Sequence, residues 1–309
     1  AEVKDLQLAT TRARFSNIFK RHEALTERLS RDSDKTVFER LQREFDAARA
    51  SQTREVCLDG EEWNDGPFAT IRERVHLEAE RKEMQLQGDS AAISSLPPLH
   101  EKITYRVGNK LICCLEGARI GILYEASFAG EPCEVFHCVL ESKSFLEKMT
   151  VVEHTIPFGL PIRDAENDYL STNVMKFIDH IGDLLQAYVD RKEQIRILKE
   201  LYGNQISELY FSLQYNMVEF SFVELDCKVV VSLRYNDLIC TLPSEVRVLA
   251  WPVVHQYKKH RTVPPGGGNK VPAQLAHAET AFRSMSLPEA FAEVVLNMPQ
   301  IIQESFCEE

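Results

Sequence analysis

The chain has 309 residues, 44% hydrophobic and 27% charged, which is enough for about two domains that each bury a core. Its net charge of -11 and pI near 5.4 argue against an affinity that rests on neutralising a phosphate backbone, so direct DNA binding is not expected. No run approaches the roughly 20 apolar residues of a membrane span, and the first residues carry no secretory apolar region, so a cytosolic or nuclear protein without a membrane partner is expected.

Residues 2–50 are rich in Arg, Glu, Leu and Lys and contain neither glycine nor proline, which predicts helix. Leu8, Thr11, Phe15, Ile18, His22, Leu25 and Leu29 alternate gaps of three and four, the spacing of a coiled-coil seam. Small polar residues at 30–34 break that helix, and a second begins after them with Phe38, Leu41, Phe45 and Ala48 in step. Residues 1–56 are therefore read as a helical arm. Its seam either folds onto the body of the same chain or pairs with a helical partner. In the second case Leu8, Phe15, Ile18, Leu25 and Leu29 are the partner-binding residues.

Residues 57–100 read as a connector: a turn-rich loop at 57–67, a third helix with Phe68, Ile71 and Val75 on one face, and a linker at 88–98. From 103 to 155 the texture changes to short runs rich in β-branched and aromatic residues, at 105–107, 111–115, 120–128, 133–140 and 149–155. Their close spacing predicts an antiparallel meander.

A proline- and glycine-punctuated segment at 156–161 leads into one long helix over 164–202, closed by Gly203 and Asn204. Phe177, Ile178, Ile181, Leu184, Leu185, Tyr188, Ile195, Leu198 and Tyr202 form its apolar face. The part near Phe177 and Ile181 is expected to cover the preceding sheet. Ile195, Leu198 and Tyr202 are expected to make an interdomain contact with the C-terminal half of the chain.

The pattern then recurs. Strands are predicted at 209–213, 217–225, 227–235, 238–242 and 246–251, then a loop holding the basic residues 258–261 and the glycines 266–268, then helices at 273–285 and 288–306. Meander then helix, twice, implies an α+β protein with two copies of one architecture, at 101–203 and 204–309.

Nothing in the chain marks out a reaction. The eight cysteines include no Cys-x-x-Cys pair and sit mostly in apolar strand-like runs, as reduced buried thiols do. Cys133, His137, Cys138 and His154 lack chelating spacing, and Cys133 and Cys138 should face opposite ways on an alternating strand. The 266–270 run lacks the Ser or Thr of a phosphate loop, and no nucleophile elbow is present. No metal, cofactor or catalytic residue is expected.

Three runs carry a family resemblance. His154-Thr155-Ile156-Pro157, then Tyr169-Leu170 with Thr172-Asn173, and Leu185-Gln186-Ala187-Tyr188 with Arg191-Lys192 closely resemble the corresponding region of the centromere protein O (CENP-O) family of inner-kinetochore subunits. Residues 234–238 and 241–246 resemble that family's last strands, so the likeness covers about 103–251. It implies tandem RWD domains, each a small antiparallel sheet packed on helices, behind a helical arm. It also implies a non-enzymatic scaffold that pairs with a CENP-P-like subunit and connects to CENP-Q- and CENP-U-like subunits. RWD domains resemble ubiquitin-conjugating enzymes in fold, but this chain has no His-Pro-Asn segment to orient an oxyanion, so a thioester on Cys138 or Cys240 is not expected. A generic RWD adaptor of ubiquitin or stress signalling is the alternative.

Overall fold

The computed structural model describes residues 34–52, 54–64, 67–86, 103–142, 149–252 and 272–307. Among them the chain is α+β, with two sheets and their helices. The arm residues Leu8, Phe15, Ile18, Leu25 and Leu29, the 88–98 linker and the 258–270 loop lie outside the described residues. By contacts the chain divides into two compact units. The first takes in residues 1–124, 136–156 and 166–175; the second takes in 125–135, 157–165 and 176–309.

In the first unit a helix α1 (Lys35–Ser51) precedes a six-stranded sheet of β1 (Arg54–Cys57), β2 (Ile103–Val107), β3 (Lys110–Cys114), β4 (Arg119–Phe128), β5 (Glu131–Glu141) and β6 (Thr150–His154), paired in that order, of which residues 125–135, the end of β4 and start of β5, belong to the second unit. The periodicity of α1 decides its packing: Leu41 and Phe45 are buried in one cluster with Leu111, Cys113, Leu115, Leu123 and Val139. Gly121 permits this. A Cβ there would sit 2.6 Å from Cζ of Phe45, so only hydrogen fits between strand and ring.

The segment read as a loop at 57–67 is more ordered than its turn formers suggested. It begins at β1, which pairs parallel to β2, so the sheet is mixed rather than a pure antiparallel meander. It continues as a short helix α2 (Gly60–Asn64), started by Asp59, whose carboxylate accepts the Glu62 N–H at 2.9 Å. Helix α3 (Pro67–Leu86) comes next and buries Phe68, Ile71 and Val75.

The long helix predicted over 164–202 is two helices, α4 (Ile162–Tyr169) and α5 (Val174–Tyr202). The Tyr169 carbonyl explains the break, because it accepts the N–H groups of both Thr172 and Asn173 and the Thr172 hydroxyl, which closes a turn instead of continuing the helix.

The second unit holds most of α5 and a five-stranded sheet in the order β11-β10-β9-β8-β7, formed by β7 (Ile206–Phe211), β8 (Met217–Glu224), β9 (Cys227–Arg234), β10 (Glu245–Pro252) and β11 (Ala273–Gln274). Helices α6 (Ala276–Ser284) and α7 (Leu287–Cys307) complete it. Alternation along β8 to β10 sends Val218, Phe220, Phe222, Val229, Val231, Leu233, Val246, Val248 and Ala250 inward against Phe282, Phe291, Val294 and Met298. The strand predicted at 238–242 is absent; that segment is a sequence of turns whose carbonyls at Leu238 and Cys240 are bound by Arg191 of α5.

One arrangement occurs twice. After β6, the buried Glu166 of α4 accepts the Val151 N–H at 3.2 Å; after β10, the buried Glu279 of α6 accepts the Val248 N–H at 3.2 Å. With Glu166 laid on Glu279, Ala165 falls on Ala278, and the starts of the long helices coincide, Val174 on Leu287. The buried residues Phe177, Ile178, Ile181, Leu185 and Tyr188 of α5 then fall on Ala290, Phe291, Val294, Met298 and Ile301 of α7, all buried. A short helix whose carboxylate accepts a strand N–H, joined to a long helix with the same buried face, is thus built twice from one spacing.

Candidate interaction site

The apolar face of α5 contains a basic residue. Tyr188, Arg191, Ile195 and Leu198 succeed one another at gaps of three and four, so Arg191 occupies a slot that periodicity assigns to an apolar side chain. It is 1% exposed. Among the described residues no carboxylate forms an ion pair with its guanidinium, whose two terminal nitrogens are met by main-chain carbonyls instead: Nη1 donates to Leu238 at 2.8 Å and to Cys240 at 2.7 Å, and Nη2 to Gln214 at 3.4 Å, while the buried Nε has no partner among the described residues. The guanidinium also lies 5.4 Å from the centre of the Tyr235 ring, a cation–π contact.

Burial pushes the Arg191 pKa down, opposed by Tyr235 and Asp190, yet a guanidinium stays charged in a protein. A buried charge needs compensation, and three carbonyls converging on one fork supply it. This is why residues 238–242 turn instead of extending: the carbonyls of Leu238 and Cys240 face the same cation and are lost to a strand ladder. The turn is closed locally, with the Asp237 carboxylate accepting the Ile239 N–H at 3.0 Å and Ser244 Oγ the Asn236 N–H at 3.0 Å.

Arg191 reaches a second loop through Gln214. The β7–β8 connection is folded by Ser212, whose hydroxyl accepts the N–H groups of Asn216 and Met217, with Tyr215 in the left-handed region at φ 52. Gln214 Nε2 in turn donates to the Gly159 carbonyl. A Cβ on Gly159 would sit 2.7 Å from Cγ of Gln214, so the close approach requires glycine. Three loops, at 157–161, 212–216 and 236–244, are thereby tied to one residue of α5.

Neighbouring side chains of α5 extend the anchorage. Gln186 reads the edge of β4 as a strand would: its Oε1 accepts the Ser127 N–H at 3.3 Å and its Nε2 donates to the Ser127 carbonyl at 2.6 Å. Lys192 pairs with Glu134. Tyr188 and Tyr215 meet edge to face at 5.3 Å, and burial raises the pKa of both phenols.

These loops hold apolar side chains in water. Phe158, bracketed by Pro157 and Pro161, is 95% exposed; Leu213 and Leu242 are exposed on the other two loops. The arrangement has a property of a preorganised binding surface, in which the backbone that carries the apolar side chains is tied down before a partner arrives.

The expected interdomain residues have a definite place. Ile195 and Leu198 are buried and Tyr202 half-buried in one cluster with the second sheet, and the Tyr202 ring lies 4.8 Å from that of Phe291. The four residues weighed for metal binding are dispersed in character: Cys133 is exposed, His137 and Cys138 are fully buried, and His154 is half-buried. Among the described residues no group of three His, Cys, Asp or Glu side chains is placed to hold a metal ion. Burial raises the Cys138 thiol pKa, whereas Cys240 is exposed. In the sequence Arg191 belongs to a run that carries the family resemblance, and the gap in the apolar series between Tyr188 and Ile195 is the signal for its role.

Comparison with known proteins places all of this inside a matched region. Residues 103–304 match the family described as Cenp-O kinetochore centromere component. The chain is also similar to centromere protein O of Gallus gallus, with 29% identity over 151 residues; the alignment covers 47% of this chain and 42% of that relative, so the chain matches about two fifths of its length.

Proposed function

Since the chain belongs to the Cenp-O kinetochore centromere component family, we propose that it is a non-enzymatic scaffold subunit of the inner kinetochore, supporting kinetochore assembly and chromosome segregation. The observation that carries this reading is the Arg191 anchorage inside the matched region. One buried cation there fixes three loops that display Phe158, Leu213 and Leu242, an arrangement suited to binding.

The duplicated Glu166 and Glu279 arrangement supports reading the chain as tandem RWD domains over 101–203 and 204–309. Ile195, Leu198 and Tyr202 then build the long helix of the first repeat into the core of the second. The partner proposed is a CENP-P-like tandem RWD subunit in a one-to-one complex, with CENP-Q- and CENP-U-like subunits joining it. The arm seam of Leu8, Phe15, Ile18, Leu25 and Leu29 supplies a helical contact to a partner. The site of action is the nuclear centromere.

Co-expression with a CENP-P-like subunit tests the pairing: a stable complex at micromolar concentration is expected, and separate elution would sink it. A fluorescent fusion tests the setting, because centromeric foci are expected and diffuse cytoplasmic signal would favour an RWD adaptor of ubiquitin or stress signalling.

A further inference from the structure

Helix α7 is apolar on more of its circumference than its packing uses. Its buried face is Leu287, Ala290, Phe291, Val294, Met298 and Ile301. At 100° per residue a second stripe, Pro288, Ala292, Val295, Leu296, Pro299 and Ile302, runs beside it; Val295 and Ile302 at its inner edge pack against the core, and its outer edge is open, with Leu296 77% exposed and Pro299 exposed. The gaps from Pro288 to Ala292, Val295, Pro299 and Ile302 are four, three, four and three, the spacing of a helix–helix seam.

The duplicated arrangement provides an internal control. Laid on α5 in the register that superposes Glu166 and Glu279, Ala292, Leu296 and Pro299 correspond to Asp179, Asp183 and Gln186. Of these, Asp183 and Leu296 are both exposed, so that outward position is polar on one long helix and apolar on the other, and solvent contact alone does not account for Leu296; Asp179 is half-buried and Gln186 is engaged with Ser127.

The border of the stripe identifies the chemistry of what covers it. No lysine or arginine occurs from 287 to 307, and the polar flank beside Leu296 carries Glu289 and Glu293. Glu293 is held on that flank by Asn297, whose Nδ2 donates to its Oε1 at 2.6 Å. Pro299 has no N–H, so within the stripe the Val295 carbonyl lacks its usual helical donor. The acidic flank calls for a cation, and the carbonyl freed by Pro299 for a hydrogen-bond donor.

We infer that the outer stripe of α7 docks an amphipathic helix of a partner protein whose apolar seam is flanked by lysine or arginine. A second copy of α7 fits poorly, because pairing would bring glutamates against glutamates. A membrane surface fits poorly too, since helices that lie on membranes carry cations at the border. The inference takes only its biological setting from the scaffold reading.

The test uses the full chain and three labelled synthetic helical peptides: one with a leucine seam flanked by lysines, one with the same seam flanked by glutamates, and one with the lysines kept and the seam shuffled. Fluorescence anisotropy should show the first binding at least roughly tenfold more tightly than either other. Leu296→Ser should weaken it by roughly fivefold or more with an unchanged melting temperature, because that side chain is in water. Glu293→Lys should narrow the preference for lysine flanks by roughly threefold. Equal binding of the lysine peptide and its shuffled form, or indifference to Leu296→Ser, would overturn the proposal. So would concentration-dependent self-association abolished by Leu296→Ser, which would assign the stripe to a second copy. Because the peptides alone are the probe, a failure here and a failure to co-elute with a CENP-P-like subunit are separate results.

Discussion

His137 in the first unit and Arg191 in the second are both basic side chains withdrawn from water, and the protein treats them in opposite ways. His137 is 0% exposed, its ring meeting the edges of Phe38 at 5.2 Å and Phe45 at 4.9 Å, with Nε2 lacking a hydrogen-bond partner among the described residues. Burial lowers its pKa to about 4, against a weaker opposing pull from Asp46, so it packs as a neutral aromatic ring. Arg191 cannot shed its proton at any ordinary pH and is instead surrounded by oxygen. A residue that can be neutralised is used as filler; one that cannot becomes the organiser of its neighbourhood.

If that contrast is right, removing the charged one should have the larger effect. Arg191→Leu leaves the carbonyls of Leu238, Cys240 and Gln214 without their shared donor and releases two loops, for an expected loss of about 3–5 kcal/mol. Arg191→Lys should recover only part, since a point charge does not reproduce the fork. Urea unfolding of both variants measures this. A loss under about 1 kcal/mol for Arg191→Leu would make the arginine incidental.

The neutral one should reveal itself through acid. The folded pKa of about 4 lies below the ordinary 6.5, so the unfolded chain takes up the proton first as pH falls. The stability contributed by the neutral ring is complete above pH 6.5, declines between 6.5 and 4, and changes no further below that. The slope approaches about 1.4 kcal/mol per pH unit and sums to about 3 kcal/mol. Other groups titrate in that range, so the measurement is the difference in melting temperature against pH between the natural chain and His137→Phe. Parallel curves would show that the imidazole is not held neutral.

Gly121→Ala acts on the same packing from the other side. Its methyl would enter the space of the Phe45 ring, which also abuts His137, and an overpacking cost of about 1–3 kcal/mol is expected from thermal unfolding. Gly108→Ala is the control, since its Cβ meets nothing and only the left-handed φ of 56 is strained, at about 1 kcal/mol. Equal costs at the two glycines would show that Phe45 yields and does not clamp the histidine.

How much of this could be read in advance depends on the kind of interaction involved. Strand alternation and the three-and-four spacing located the elements because each reports burial by its own neighbours in sequence. What escaped was decided by distant partners. β1 is a short, mostly exposed strand that exists by pairing with residues some fifty positions later. The run at 238–242 has the composition of a strand, and only the arginine on α5 withdraws its carbonyls from a ladder. The division of α4 from α5 rests on a turn closed at the Tyr169 carbonyl by two backbone N–H groups and the Thr172 hydroxyl, which composition alone does not mark. In the interaction site the arginine was visible as an interruption of an apolar series, whereas the exposure of Phe158 was not, because apolar composition around prolines reads equally well as core.

The smallest effect on stability should come from the residue the arginine ultimately serves. Phe158 is almost wholly in solvent, so Phe158→Ser should shift the unfolding free energy by less than about 0.5 kcal/mol. Its presentation depends on Gly159, whose carbonyl Gln214 holds, and through Gln214 on Arg191. Under the scaffold reading an exposed aromatic ring on an anchored loop is where binding energy concentrates, so the same substitution should weaken the complex with a CENP-P-like subunit roughly tenfold in titration. Gly159→Ala should do so to a lesser degree, by pushing Gln214 aside at 2.7 Å while leaving the ring in place. Loss of binding without loss of stability at Phe158, set against loss of both at Arg191, separates a contact from its support. If Phe158→Ser binds normally while Arg191→Leu does not, the arginine supports some other part of the loops, with Leu213 and Leu242 the next side chains to replace.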